Sequence, residues 1–157
     1  MKALSVLLTS GWLLFGCSSF KAADVATIVD HGATAARTAD IVIIANLGVA
    51  ATTLTPEELS GIYLLRKRTW QDGTKIIPVN REAGSRTRTI FTVRILRQQQ
   101  SILNSYWDKM YFKGVMPPLV QESDQAVLAF VQNVPGAVGY LSASTALKNV
   151  KVLAEIK

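Results

Sequence analysis

Lys75-Ile76-Ile77-Pro78-Val79-Asn80-Arg81-Glu82-Ala83-Gly84-Ser85-Arg86-Thr87-Arg88 reads as a short apolar strand, Ile76 to Asn80, that turns through Gly84 into a helix started by Ser85. A turn of this kind leaves backbone N–H groups unpaired at the first helical residues and adds the positive end of the helix dipole. The hydroxyls of Ser85 and Thr87 and the guanidinium of Arg81 lie close by in sequence. The segment is therefore a socket for an oxyanion, set on a strand-to-helix unit.

The flanking sequence extends that unit. Ile41-Val42-Ile43-Ile44-Ala45 is a continuous apolar run, as expected of a strand buried on both faces in a parallel or mixed sheet. Thr55-Pro56-Glu57-Glu58 is a capping box with proline at the first helical position, so a helix is expected from Pro56 to Leu65. Beyond the socket, Ile90, Val93, Leu96, Ile102, Leu103, Tyr106, Trp107 and Met110 recur at helical spacing. They are read as packing residues of two helices divided near Gln98 to Ser101. Pro117-Pro118 forces an extended link, Ser123 to Gln132 reads as a helix, and Val134-Pro135-Gly136-Ala137-Val138-Gly139-Tyr140-Leu141 turns into a strand with close backbone approach at its glycines. Val150 to Ile156 alternates like an edge strand. Strands separated by helices imply an α/β domain.

The chain has 157 residues, 49% of them hydrophobic, with ordinary glycine and proline and no repeat or low-complexity tract. That supports one globular domain with a real core. Residues 1–22 stand apart. Lys2 gives a positive start, Ala3 to Phe15 is apolar, and small residues follow, which is the pattern of an export signal and is too short for a membrane span. Leu14-Phe15-Gly16-Cys17 resembles a bacterial lipobox, which makes Cys17, the only cysteine, the candidate lipidation site. Ordinary cleavage near Phe20 to Ala23 is the alternative. The expected domain is 23–157, thiol-free once Cys17 is acylated or removed, and located in the periplasm or cell envelope.

The net charge is +6, and loss of the signal through Gly16 removes only Lys2, leaving 16 basic against 11 acidic residues. Arg66-Lys67-Arg68 forms one basic cluster. Arg81, Arg86, Arg88, Arg94 and Arg97 form another, opposed within that span only by Glu82. Such a field favours phosphate-like ligands or acidic surfaces, and export argues against nucleic acid. Arg88, Arg94 and Arg97 read equally as a solvated helix face.

Catalysis finds little support. His31 is the only histidine, so a catalytic triad, a Cys/His pair and a histidine-rich metal site all lack members. Glu57-Glu58 belongs to the capping box, and Glu122 with Asp124 suits a helix N-terminus. Trp70, Tyr106 and Trp107 are read as packing residues rather than as a stacking platform. No Walker-type loop or dinucleotide fingerprint is present. No enzyme, cofactor or metal is expected.

Ile41 to Asn46, Leu54 to Tyr63, Trp70-Gln71-Asp72-Gly73, Arg81 to Thr87 and Val134 to Tyr140 occur in an order that resembles the second lobe of the substrate-binding proteins of phosphate ABC transporters, within the type II periplasmic-binding-protein superfamily. The resemblance covers about Asp40 to Lys157. It implies a periplasmic-binding-protein-like lobe, a small mixed sheet flanked by helices. It also implies inorganic phosphate or a similar oxyanion as ligand, with an ABC transporter permease or another membrane protein as partner and the membrane reached only through the lipid anchor. In the family the socket runs Arg, two residues, Gly, Ser, Gly, Thr, and the matching positions here are Arg81, Gly84, Ser85, Arg86 and Thr87.

Two departures follow from this match. Arg86 stands at the family's second glycine, and Ala83 stands where the family has the acidic acceptor of the phosphate proton, which weakens selection of phosphate over sulfate. Between the signal and Ile41 there are too few residues for the family's first lobe. A lone lobe leaves one face of an anion to water, so weak binding is expected unless another copy or protein covers it. The alternative function is a non-ligand-binding interaction module of the same fold, docking on a membrane or protein partner.

Overall fold

The computed structural model describes residues 40–157. The expected export signal, Cys17 and His31 lie outside the described residues. The described chain forms a five-stranded mixed sheet in the order β3-β2-β4-β1-β5. The strands are β1 (Ile41–Ala45), β2 (Ile77–Arg81), β3 (Leu119–Gln121), β4 (Ala137–Ser142) and β5 (Lys151–Ile156). Four α-helices accompany them: α1 (Pro56–Tyr63), α2 (Arg86–Phe91), α3 (Gln100–Tyr111) and α4 (Asp124–Asn133). This is the expected α/β arrangement, a small mixed sheet flanked by helices.

β1 lies inside the sheet, antiparallel to both β4 and β5, and every one of its residues is buried. Its continuous apolar run is explained by two cores. Ile41, Ile43 and Ala45 face Leu59, Ile62 and Tyr63 of α1 and Phe91 of α2. Val42 and Ile44 face Val127 and Val131 of α4. Side chains of this size each contribute about 1.5–3 kcal/mol when fully buried. β5 is an edge strand, as its alternation predicts.

The capping box closes α1 as read: the Glu58 amide donates to Thr55 Oγ1 at 3.2 Å and the Thr55 amide donates to Glu58 Oε2 at 3.1 Å. Lys67 sits 2.9 Å from Glu58 Oε1, and its hydrogen bond is the main reason the Glu58 carboxyl is held below the usual range.

Three features differ from the sequence expectation. β3 replaces part of a plain extended link, pairing in parallel with β2 from Val79↔Leu119 to Arg81↔Gln121. α2 runs directly into a π-helical turn, Thr92–Leu96, that ends at Arg97 in the left-handed region, with φ of 50°. The wider turn shifts the helical register, so that Ile95 is buried while Val93 is 60% exposed. Ile102, also read as a packing residue, is 53% exposed on α3, where Leu103 takes the buried place.

Candidate functional site

β2 carries Arg81 to the end of the sheet, between β3 and β4. The β2–β4 ladder is short, limited to Ile77↔Ala137 and Pro78↔Val138. Tyrosine hydroxyls continue the attachment where the ladder stops. Tyr63 donates to the Val79 carbonyl at 3.1 Å. Tyr140 Oη accepts from the Arg81 amide at 3.2 Å and donates to Asn80 Oδ1 at 2.7 Å. Phe91 stacks on Tyr140 with ring centroids 4.1 Å apart and packs 4.5 Å from Tyr63. This aromatic trio locks α2 against the strands that bear the site.

The turn between β2 and α2 is closed by its own backbone. The Ser85 amide donates to the Glu82 carbonyl at 3.1 Å, and Ser85 is the N-cap of α2, its Oγ accepting from the Arg88 amide at 3.0 Å. The Thr89 amide donates to the Ser85 carbonyl at 3.1 Å. The amides of Arg86 and Thr87, the Thr87 hydroxyl and the Arg86 guanidinium have no hydrogen-bond partner among the described residues. Gly84 has ordinary backbone geometry, and a Cβ built there would meet nothing within 4 Å. The structure thus brings Gly84, Ser85, Arg86 and Thr87 to one turn with donors to spare, and leaves the backbone at Gly84 open to approach.

Because the Ser85 oxygen also caps the helix, Ser85→Ala is expected to lower the unfolding free energy by about 1 kcal/mol irrespective of any ligand. A urea midpoint unchanged from wild type would remove the cap from this account.

Arg81 is differently employed. It is the one buried charged or polar residue among those described, at 8% exposure. Its Nη1 meets Asp124 Oδ1, Nη2 lies 2.7 Å from Glu82 Oε1 and 3.2 Å from the Glu122 carbonyl, and Nε lies 3.3 Å from Glu82 Oε2. The hydrogen bond from Arg81 is the first cause of the lowered pKa of Glu82, so Glu82 is a carboxylate at neutral pH. Asp124 Oδ2 in turn accepts from the Ser142 amide and Thr145 Oγ1, both at 3.0 Å. Asp124 does begin α4 as a residue suited to a helix N-terminus, and it also fixes the Arg81 guanidinium across 43 positions of sequence. No local signal in the sequence announces that pairing.

Of the arginines read as a solvated face, Arg88 turns inward, its Nη1 2.6 Å from the Arg81 carbonyl, while Arg94 approaches Asp40 at 3.9 Å. An open depression of about 450 Å³ adjoins the turn, lined by Ala83, Arg88, Thr92 and Gln98 among others. Trp70 is buried, with its indole N–H donating to the Gly136 carbonyl at 3.0 Å. Tyr106 donates to the Leu64 carbonyl at 2.6 Å. Among the described residues no group of three or more His, Cys, Asp or Glu side chains could hold a metal ion. No helix among them is long and apolar enough to cross a membrane.

A family model described as a PBP superfamily domain matches residues 31–156. Among solved structures, the chain is similar to an ABC-type phosphate transport receptor from Vibrio cholerae, with 28% identity and a TM-score of 0.59 over 73% of this chain and 45% of that one. A structure from Clostridium perfringens with bound phosphate, described as a phosphate ABC transporter substrate-binding protein, is similar at 21% identity and a TM-score of 0.60, over 73% of this chain and 44% of that one. PstS from Borrelia burgdorferi is similar at 15% identity and a TM-score of 0.59, over 74% and 47%. At these lower identities the last two likenesses are of fold alone. The chain spans less than half the length of all three.

Proposed function

This chain belongs to the PBP superfamily, and from that premise we propose that it is an exported solute-binding protein that holds phosphate or a related oxyanion at Arg81, Gly84, Ser85, Arg86 and Thr87. The observation that carries the reading is the set of unpartnered donors at the β2–α2 turn: two amides, the Thr87 hydroxyl and the Arg86 guanidinium. Amides at a helix start and a planar guanidinium match the acceptors of a tetrahedral oxyanion. In this reading Arg81 supplies fixed positive charge behind the turn. Residues 1–22 export the chain, Cys17 is the lipid attachment point, and the 23–157 domain works in the periplasm or cell envelope beside an ABC transporter permease or another membrane protein. It acts by binding, without catalysis, cofactor or nucleic acid.

Glu82 opposes the ligand in this scheme, because its carboxylate sits on Nε and Nη2 of Arg81 and offsets the positive charge behind the turn. Titration calorimetry with phosphate and sulfate at low salt tests the proposal. Wild type should release or absorb heat on binding, Thr87→Val and Arg86→Gln should each weaken binding about tenfold, and Glu82→Gln should tighten it about tenfold. Thr87 and Arg86 are the informative positions, since neither side chain has a partner among the described residues whose loss would disturb the fold. Silence in the wild type, or the same heat in all the variants, would remove the socket and leave the interaction-module reading.

A further inference from the structure

The open depression beside the β2–α2 turn is built from parts that a bare oxyanion would leave unused. Part of its lining is one side of the continuous helical stretch from Arg86 to Leu96, where Arg88 and Thr89 lie one turn before Thr92 and Val93. A second part is the link from Gln98 to Gln100, which follows Arg97 in the left-handed region and leads into α3. Ala83, the residue before Gly84, brings the depression to the anion turn itself. Its volume of about 450 Å³ lies within the range of small-molecule sites, roughly 300–1,000 Å³. A tetrahedral oxyanion alone would fill only a small part of it.

Arg88 belongs to both places. Its Nη1 donates to the Arg81 carbonyl at 2.6 Å, at the end of β2, and the same residue lines the depression. An anion at the turn and an organic group in the depression can therefore be parts of one ligand. The π-helical turn at Thr92–Leu96 adds to this surface: it buries Ile95 and leaves Val93 60% exposed on the depression. Such turns within helices are frequent at functional sites.

The chemistry of the lining decides which organic group fits. None of the lining residues is acidic, and Arg88 alone is charged. Glu82, next to Ala83 in sequence, is turned to Nε and Nη2 of Arg81. The side-chain amides of Gln98 and Gln99 and the Thr92 hydroxyl have no partner among the described residues. Amides and hydroxyls each offer a donor and an acceptor, which is what alcohol groups require, and the methyl groups of Ala83 and Val93 suit a short carbon skeleton. We infer that the ligand is a phosphate monoester of a hydroxylated carbon chain, its phosphate at the β2–α2 turn and its hydroxyls against Gln98, Gln99 and Thr92. The inference rests on the reading of that turn as an oxyanion site and names the class of molecule it takes.

Titration calorimetry of the full chain at low salt, with glycerol 3-phosphate, inorganic phosphate and glycerol as probes, tests it. Wild type should bind the ester about tenfold more tightly than inorganic phosphate and give no heat with glycerol. Gln98→Ala/Gln99→Ala and, separately, Val93→Trp, which fills the depression, should each bring the ester to within about threefold of phosphate and leave phosphate affinity within about twofold of wild type. These three side chains are exposed, so the fold does not depend on them. Arg86→Gln should weaken both anions by the same factor, about tenfold. An ester bound no more tightly than phosphate, or a preference for it that survives both depression variants, would overturn the inference and leave the turn standing. Glycerol binding as tightly as the ester would also overturn it, by making the depression a site independent of the turn. Silence with both anions would remove the turn, and the inference with it.

Discussion

Gly136→Ala is expected to cost about 4 kcal/mol of folding free energy. Gly136 joins α4 to β4 with φ of 77°, a conformation that costs an L side chain about 1–2 kcal/mol. A Cβ built there would lie 2.2 Å from the Lys75 carbonyl oxygen and 3.2 Å from Thr74 Cγ2. The first of these neighbours is backbone and cannot swing away. Relief by a shift of Gly136 is also opposed, because its carbonyl accepts both the Trp70 indole N–H at 3.0 Å and the Ile77 amide at 3.1 Å. Overpacking of this kind adds about 1–3 kcal/mol. Urea unfolding followed by tryptophan fluorescence measures the loss, and a shift below about 1 kcal/mol would show that the junction yields more easily than its contacts imply.

Asp124→Ala should be nearly as damaging, at about 3 kcal/mol. The Asp124 and Arg81 side chains are only 15% and 10% exposed, so removal of one leaves the other charge inside the protein with less compensation. The substitution also takes the acceptor from the Ser142 amide and the Thr145 hydroxyl. Glu82 remains beside Arg81 and limits the damage. An Arg81→Met/Asp124→Ala double variant should recover a substantial part of the loss, since an apolar replacement of a buried pair is far less costly than breaking it. Additive losses in the two single variants and the double would show that the two charges are not coupled.

How far the sequence could be read depended on the range of the interactions. The capping box at Thr55 to Glu58, the helix opening near Ser123 and the turn at Val134 to Gly136 use chemistry contained within a few residues, and each is legible. β1 was legible because burial on both faces leaves a run with no polar break. Gly136 and Gly139, before and within β4, are legible as points of close approach: a Cβ at Gly139 would fall 2.6 Å from Val127 Cγ1 of α4.

β3 was hidden because its three residues follow Pro117-Pro118 and owe their strand geometry to β2 alone. Val93 departs from its helical period because periodicity assumes a constant helical repeat, and the π-helical turn at Thr92–Leu96 breaks it. At the site, the turn from Arg81 to Thr87 could be seen in sequence. The commitment of Arg81 to Asp124 could not, since it is a tertiary pairing, while the sequence leaves the Ser85 hydroxyl open between capping α2 and facing a ligand.

The tyrosine attachment of β2 has a consequence for how binding responds to acidity. Burial is the main reason the Tyr140 phenol is pushed up to about 12, so it keeps the proton it donates to Asn80 far into alkaline solution. Glu82 stays ionised down to acid pH, because its carboxyl is held below the ordinary carboxylate range by Arg81, and arginine keeps its charge throughout. Between those limits the strand end bearing Arg81 has a constant protonation state. A bend in anion affinity measured across neutral pH would therefore report the ligand gaining or losing its own proton, and would identify the ionic form that the turn accepts.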